Sequence, residues 1–192
     1  MIIVSQTATH RGAVRELNED AMLSMAHQGI WAVADGMGGH EGGDMASTLV
    51  TSIIGELKRG DRFEESLRRL ELAIQEANKR LIKKAISVPR HRRPGTTIVA
   101  LLIQEQQGGV VWAGDSRLYR LRDGELQAIS RDHSQVQDLV DRGLLRAEEA
   151  EDHPLAHVIT RAIGFDRPAR LEAKPFDVMP GDRYLLCTDG LT

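Results

Sequence analysis

Acidic side chains recur at the ends of apolar segments in this chain. They occur in four loops: Glu19-Asp20, Asp35-Gly36, Gly114-Asp115-Ser116 and Asp189-Gly190. A hard cation takes carboxylate and main-chain carbonyl oxygens as ligands, and glycine lets the main chain approach such a ligand closely. Carboxylates that converge would repel one another unless divalent cations lay between them. Oxygen-only ligation favours Mg²⁺ or Mn²⁺ over zinc.

An Asp-Gly pair is also a common turn signal. We interpret Asp123-Gly124 as a hairpin turn between two predicted strands. Taken singly, Asp35, Asp115 and Asp189 fit a turn as well as a metal site. Taken together, the four acidic loops favour a shared metal site.

Hydrophobic periodicity predicts the elements that position these loops. Apolar residues at helical spacing predict helices over residues 44–58 and 63–86. The predicted strands cover residues 2–9, 21–26, 30–34, 96–103, 109–113, 117–121, 125–129, 170–178 and 183–187. This order indicates an α+β layered domain rather than a βαβ repeat.

Composition excludes several classes of function. The chain has 192 residues and is 41% hydrophobic, which suits one globular domain. A net charge of −3 and 4% aromatic residues argue against a nucleic-acid partner. The single cysteine, Cys187, excludes an internal disulfide framework and a Cys-rich zinc site. The sequence contains no signal peptide and no apolar run long enough for a membrane span, so we expect a cytoplasmic protein without a membrane partner.

Seven motifs occur in a characteristic order. They are Arg15-Glu16-Leu17-Asn18-Glu19-Asp20, DGMGGH at 35–40, Gly95-Thr96-Thr97, AGDSR at 113–117, Asp132-His133-Ser134, Thr160-Arg161-Ala162-Ile163-Gly164 and Thr188-Asp189-Gly190-Leu191. Together they resemble the bacterial branch of the metal-dependent (PPM) serine/threonine protein phosphatases of type 2C, over almost the whole chain. The resemblance implies one catalytic domain over residues 1–192, with a four-layer α-β-β-α sandwich in which helix pairs flank a central antiparallel β-sandwich. It also implies hydrolysis of phosphoserine and phosphothreonine on proteins by a metal-bridged hydroxide.

The resemblance assigns a role to each residue of the acidic loops. Asp35 would bridge two Mn²⁺ or Mg²⁺ ions, and the Gly36 carbonyl would bind one of them. Asp189 would ligate a metal directly, while Glu19 and Asp20 would hold the site largely through metal-bound water. Bacterial members can bind a third, weaker metal, whose ligand matches Asp115.

Two further residues are catalytic candidates. Arg15 would bind the substrate phosphate, because a guanidinium pairs with two phosphate oxygens at once. Eukaryotic members carry a histidine, thought to protonate the leaving group, where this chain has Met37, which cannot donate a proton. His40 lies nearby in the sequence and is the candidate replacement, with packing against the glycine loop as its alternative role.

The C-terminal end departs from the family pattern. The family continues past the position of Thr192 into a strand whose Asp-Asn pair supplies a metal ligand. We therefore expect the chain to be truncated there, with the C-terminal portion of the domain missing. This leaves open an alternative, a catalytically impaired relative that acts as a phosphoprotein- or partner-binding module.

Two other segments have both a structural and a functional interpretation. The polar stretch 135–162 is either a surface excursion or a flap-like helical insertion over the site. The basic run 90–93 is either a solvated loop or a patch for acidic or multiply phosphorylated substrates. The expected partner is a phosphorylated protein substrate, a target of a cognate serine/threonine kinase, with the protein itself a monomer.

Overall fold

Two antiparallel sheets pack face to face and form the centre of the protein. The computed structural model describes residues 2–13, 17–38, 42–87, 93–150 and 152–191. The strands are β1 Asp20–Met25, β2 Ile30–Met37, β3 Gly95–Thr96, β4 Ile98–Gln104, β5 Gln107–Ala113, β6 Arg117–Arg122, β7 Glu125–Ala128, β8 Glu172–Asp177 and β9 Arg183–Cys187. The larger sheet has the order β1-β2-β4-β5-β8 with β3 beside β2, and the smaller sheet has the order β7-β6-β9.

Strand β4 is buried along its whole length because both faces of the larger sheet are covered. Successive side chains of a strand point to opposite faces. Ile98, Ala100 and Leu102 accordingly belong to the core under the helices, and Val99 and Leu101 belong to the core against the smaller sheet. This explains why the segment reads as a continuous apolar run rather than as an alternating one.

Two helices, α1 Gly42–Gly55 and α2 Phe63–Lys84, cover the outer face of the larger sheet. Leu70, Ile74, Ala77 and Leu81 of α2 recur at helical spacing and are fully buried. The first turn of α2 carries acidic residues and its last turn carries basic ones, which complements the helix dipole. None of the helices in the described ranges is both long and apolar enough to cross a membrane.

The predicted α+β sandwich is confirmed as a helix layer, a large sheet and a small sheet. The outer face of the small sheet is not covered by a helix pair within the described residues, and Leu126 and Leu185 are 64% and 43% exposed there. The predicted strand over residues 2–9 is wrong. Ser5 Oγ lies 3.3 Å from Ser24 Oγ of β1, but within the described residues no ladder of backbone hydrogen bonds pairs this segment with a strand.

Two local predictions have different outcomes. Asp123 and Gly124 have φ angles of 52° and 84° and join β6 to β7, so the interpretation of this pair as a hairpin turn is confirmed. Segment 135–162 is less helical than predicted. Among its described residues only α3, Gln135–Asp141, is an α-helix, followed by one 3₁₀ turn at Ala147–Glu149.

A partly buried ion pair fastens the small sheet to the edge of the large one. Asp182 has a side chain only 2% exposed, and it accepts two hydrogen bonds of 2.7 Å from Arg122. Its second oxygen also accepts from the Tyr184 hydroxyl and the Met179 amide, each at 2.9 Å. Arg122 in turn donates to the carbonyl of Asp177 at the end of β8. The Arg122 guanidinium is the main cause that holds the pKa of Asp182 well below its usual range.

We expect Asp182→Asn to lower the thermal unfolding midpoint near pH 7 by roughly 3 to 8 °C, since it leaves Arg122 with a neutral partner. A depressed folded-state pKa gives stability above the unfolded pKa of about 4, and this stability is lost as the pH falls below it. The gap between wild type and variant should therefore shrink between about pH 5 and pH 2 in unfolding followed by circular dichroism. Asp166→Asn is the control, because the Asp166–Arg170 pair is exposed and should contribute little. A gap that stays constant down to the lowest pH would contradict this account.

Candidate metal centre

The β1–β2 hairpin places two of the predicted ligands on one face. Its register pairs Asp20 directly with Asp35, and residues opposite each other in an antiparallel pair project to the same side of the sheet. Strand β2 runs on to Met37, so Asp35 and Gly36 lie within the strand rather than beyond its end. The extension follows from the short strand β3, since Thr96 pairs with Gly36.

Hydroxyl groups from the Gly95-Thr96-Thr97 segment hold the backbone of Asp35. The Asp35 amide donates to Thr97 Oγ1 at 3.0 Å, and the Thr97 amide donates to the Asp35 carbonyl at 2.8 Å. The Thr96 hydroxyl donates to the same carbonyl at 2.8 Å. Thr97 Oγ1 also lies 2.7 Å from Ser116 Oγ, which joins the Asp35 strand to the loop that carries Asp115.

The small sheet brings the other two acidic loops together. Arg117 of β6 pairs with Cys187 of β9 in antiparallel register. Asp115 lies two residues before the first of these and Asp189 two residues after the second, so both are at the same end of the small sheet. The Thr188 hydroxyl donates to Asp20 Oδ2 at 3.2 Å and links this end to the large sheet.

The carboxylates interact strongly enough to shift their titration. The pKa of Asp35 is raised to about 8, first by burial and then by the charges of Asp189 and Asp20, a hydrogen bond with Asp189, and the charge of Asp115. Burial and the charge of Asp189 raise the pKa of Asp115 to about 6, against the lowering effect of its own backbone amide and of Arg117. Among the described residues, the charges that raise the pKa of Asp35 all belong to other carboxylates.

Glu19 is held against the start of α1 by close backbone contacts. Its carbonyl accepts from Ser47 Oγ of α1 at 2.6 Å and from the Gly36 amide at 3.1 Å. A methyl group on Gly43 would collide with the Glu19 carboxylate, and one on Gly36 would collide with the Gly43 carbonyl. Both glycines are needed for this approach.

His133 supports the loop that carries Asp115. Its Nδ1 accepts from the Gly114 amide at 3.2 Å, its own amide donates to the Gly114 carbonyl at 2.9 Å, and its ring stacks on Trp112 with centroids 5.8 Å apart. Burial lowers the pKa of His133, which favours the neutral acceptor form that this contact requires. The Thr160 amide donates to the His133 carbonyl at 2.7 Å. The C-terminal end of segment 135–162 is thus held, through Thr160, to His133 beside Asp115.

The donor chemistry of this pocket fits a divalent cation with oxygen ligands. Carboxylates crowd together, and the Gly36 backbone lies among them without a side chain. As the side chains stand, no three His, Cys, Asp or Glu residues within the described ranges are arranged around a single ion position. Ligation would therefore require the carboxylates to turn further toward one another, which their mutual repulsion opposes until a cation is present.

The structure brings together most of the residues predicted from the sequence. Asp20, Asp35, Asp115 and Asp189 interact through their charges. Glu19 and Gly36 adjoin them through the bond between the Gly36 amide and the Glu19 carbonyl. Arg15, His40 and residues 90–92 of the basic run lie outside the described residues.

The supporting side chains were not predicted as site residues. They are the hydroxyls of Thr97, Ser116 and Thr188 and the ring of His133. Two of them could have been found from the sequence, because Ser116 and Thr188 lie directly next to an acidic loop residue. Thr97 carries no such signal, since it reaches Asp35 only through strand pairing.

Comparison with known proteins points to one family. A family model described as Protein phosphatase 2C matches residues 8–192. The serine/threonine protein phosphatase PstP of Mycobacterium tuberculosis H37Rv is 40% identical over 183 residues, which cover 95% of this chain. Those residues cover only 35% of PstP, so the chain spans about a third of the length of that relative.

Solved structures agree with the family match. PppA, described as a key regulatory component of T6SS in Pseudomonas aeruginosa, superimposes with a TM-score of 0.84 at 41% identity, covering 95% of this chain and 75% of that one. The catalytic domain of the serine/threonine protein phosphatase PstP in complex with two manganese ions superimposes with a TM-score of 0.80 at 38% identity, covering 95% and 76%.

We call Asp20, Asp35, Asp115 and Asp189 the carboxylate cluster, and we expect their repulsion to make the free energy of unfolding depend on pH and on bound metal. Because the folded-state pKa of Asp35 is raised to about 8, its contribution to stability is full below the unfolded pKa of about 4 and is lost as the pH rises toward 8. The metal-free protein should therefore lose stability across this window, and Mn²⁺ should restore it. Asp35→Asn should raise the metal-free unfolding midpoint near pH 8, by about 2 to 4 °C per kcal/mol of relieved repulsion, and weaken the response to Mn²⁺.

Thermal unfolding of wild type and variant with EDTA and with MnCl₂ measures these effects. A metal-free Asp35→Asn protein that is less stable than wild type at pH 8 would show that the carboxylates do not repel one another in the folded state.

Proposed function

The chain belongs to the protein phosphatase 2C family, and on that basis we propose that it hydrolyses phosphoserine and phosphothreonine on proteins in a reaction that depends on divalent metal ions. The single observation that carries the proposal is the environment of Asp35. This half-buried carboxylate lies near Asp20, Asp115 and Asp189, and desolvation together with these charges raises its pKa. A protein has little reason to gather such a cluster other than to bind cations.

We propose that the acidic loops hold two ions. Asp35 and Asp189 would contribute carboxylates directly, Gly36 its carbonyl, and Glu19 and Asp20 contacts through water, while Asp115 would serve a third, weaker ion. The similarity to a PstP catalytic domain in complex with two manganese ions supports the number and kind of ions. Two bound divalent cations would supply an activated water molecule and stabilise charge on the phosphate.

The chain's own residues then bind and position the substrate. Arg15 would pair with two oxygens of the substrate phosphate and hold phosphorus in line with the attacking water. The leaving serine or threonine oxygen needs a proton, and Met37 cannot donate one. We assign this role to His40, which is close to Asp35 in the sequence.

Segment 135–162 has the properties of a flap. Its base is fixed because Thr160 bonds to His133, which in turn bonds to Gly114. Within α3, only Val136 is buried. Most side chains of its described part are exposed. A segment with a fixed base and few buried contacts can adjust to a protein substrate without disturbing the metal centre.

The partner implied by this activity is a phosphorylated protein. The opposing serine/threonine kinase, the cytoplasmic location and the monomeric state stay predictions.

One observation favours a second candidate function. No three acidic or histidine side chains in the described part of the chain stand ready around one ion, which suits a catalytically impaired relative that binds phosphoproteins. Metal-dependent turnover distinguishes the two functions, because an impaired binder retains phosphopeptide affinity without releasing phosphate.

The first test compares three aspartates that are each followed by a glycine. Asp35→Asn and Asp189→Asn should each lower kcat/KM for a phosphothreonine peptide with Mn²⁺ by about a hundredfold or more, which corresponds to about 2.7 kcal/mol in barrier. Asp123→Asn changes another Asp-Gly pair that forms only a hairpin turn, so its activity should match wild type. Phosphate release measured with Mn²⁺ and with EDTA provides the data. Equal losses in all three variants, or release that persists in EDTA, would exclude the proposed centre.

The second test distinguishes the roles of Arg15 and His40 with two substrates whose leaving groups differ in their need for a proton. Nitrophenolate can leave without being protonated, whereas a threonine alkoxide needs a proton. His40→Asn should therefore slow hydrolysis of the phosphothreonine peptide by about a hundredfold and leave the rate of p-nitrophenyl phosphate hydrolysis unchanged. Arg15→Lys should raise KM for both substrates by about tenfold, because lysine loses the two-pronged contact. Steady-state kinetics on both substrates measures the contrast, and a His40 variant slowed equally on both would remove that residue from proton donation.

A further inference from the structure

A cavity in the helix layer is lined by three cationic side chains. It has a volume of about 440 Å³ and lies between the second half of α2 and the loop of residues 164–169. Its lining residues are Gln75, Asn78, Lys79, Lys83, Arg167 and Pro168. None of them belongs to the carboxylate cluster, and we call this cavity the cation pocket.

Two amide side chains of α2 fix the loop that forms one wall of the pocket. Buried Asn78 accepts from the Gly164 amide and donates to the Asp166 carbonyl, each at 2.8 Å. Gln75 donates to the Ala169 carbonyl at 2.8 Å and accepts from the Ala169 amide at 3.0 Å. Arg167 lies between these anchored points. The wall that carries it is therefore rigid.

The cationic groups of the pocket repel one another. Lys79 and Lys83 are four residues apart on α2 and project from the same face, an arrangement that destabilises a helix when the charges are alike. Arg167 adds a third positive charge from the loop. Interaction with the helix dipole accounts for a positive charge at Lys83, which lies in the last turn of α2. It does not account for the positive charges of Lys79 and Arg167.

The neighbouring carboxylates do not neutralise these charges. Asp166, next to Arg167 in the chain, pairs with Arg170 at 2.7 Å. Glu76, on the adjacent turn of α2, pairs with Arg80 at 2.9 Å. In the described ranges no ion pair involves Lys79, Lys83 or Arg167. The pocket therefore presents its positive charge to solvent, where it can receive an anionic ligand.

The wall of the pocket is connected to the metal centre. Ile163 exchanges two backbone hydrogen bonds with Thr96, at 3.1 and 2.8 Å, and Thr96 pairs with Gly36 beside Asp35. Four residues of chain reach at most about 14 Å from Ile163 to Arg167, and each strand pairing adds about 5.5 Å. The Cα atom of Arg167 thus lies within about 25 Å of that of Gly36, which about eight residues of extended peptide can span.

We propose that the cation pocket is a secondary substrate-binding site for a run of carboxylate side chains, located within about eight residues of the phosphorylated residue of a protein substrate. The proposal rests on the function proposed above. Charge complementarity identifies the ligand, since two ammonium groups and one guanidinium face one cavity on a rigid wall. Because exposed ion pairs are weak and screened by salt, the site tunes the choice among substrates rather than providing most of the affinity.

The test uses two phosphothreonine peptides that differ only in a flanking tail, rich in glutamate in one and in glutamine in the other. With Mn²⁺ at low ionic strength, wild-type full-length protein should favour the glutamate peptide by about five- to tenfold in kcat/KM, and added salt should reduce the preference. Lys79→Glu/Lys83→Glu should abolish the preference and leave the glutamine peptide unaffected. Arg167→Gln, a smaller change in charge, should reduce the preference in part.

The matched control is Lys58→Glu/Arg59→Glu, which changes the net charge equally. Both control residues are exposed at the other end of the helix layer, where the Lys58 carbonyl accepts from Arg69 in the first half of α2. This control should keep the wild-type preference. Loss of the preference in the control as well, or no preference in wild type with tails on either side of the phosphothreonine, would overturn the proposal.

A binding measurement separates this proposal from the proposed function. Fluorescence anisotropy with a labelled glutamate-rich peptide that carries no phosphate reports on the pocket without any turnover. Several-fold weaker binding to Lys79→Glu/Lys83→Glu than to the control supports the pocket even if the protein releases no phosphate from any substrate. Equal binding to the two variants rejects the pocket even if phosphatase activity is found.

Discussion

Repulsion among clustered carboxylates is the constraint on which the rest of this structure depends. Asp35 is half-buried beside Asp20, Asp115 and Asp189, and desolvation together with these charges raises its pKa to about 8. Nothing in that set of interactions offsets the charge, so the backbone must hold the carboxylates together against their repulsion. Divalent cations would turn the same arrangement from a cost into a stabilising interaction, which couples the stability of the fold to metal binding.

The backbone meets this constraint with rigid elements on every side. The hairpin register fixes Asp20 opposite Asp35, and the small sheet aligns the loops of Asp115 and Asp189 at one end. Hydroxyl groups connect the two sheets, with Thr97 bonded to Ser116 as the clearest case. Short polar side chains suit this place because they bridge backbone segments without adding charge to a crowded pocket.

The helix layer contributes both to the carboxylate cluster and to the surface around it. The start of α1 lies against Glu19 through Ser47, while the second half of α2 holds loop 164–169 through Gln75 and Asn78. That loop leads from the strand pairing at Thr96 to the cation pocket. A negatively charged cluster and a positively charged pocket are thus attached to one scaffold.

The sequence by itself determined most of the element types and the acidic character of the candidate site. Local patterns can be recognised in the sequence without knowledge of the fold. Examples are the amphipathic spacing of α2, the Asp123-Gly124 turn and the acidic loops. Only the tertiary structure decided the pairing of Asp20 with Asp35, the meeting of Asp115 with Asp189 and the support from Thr97 and His133. These contacts join residues far apart in the chain, and a shift of one residue in register would have sent a side chain to the opposite face. Residues 2–9 show the converse, because their pattern is typical of a strand and yet the segment passes Ser24 of β1 without pairing with it as a strand.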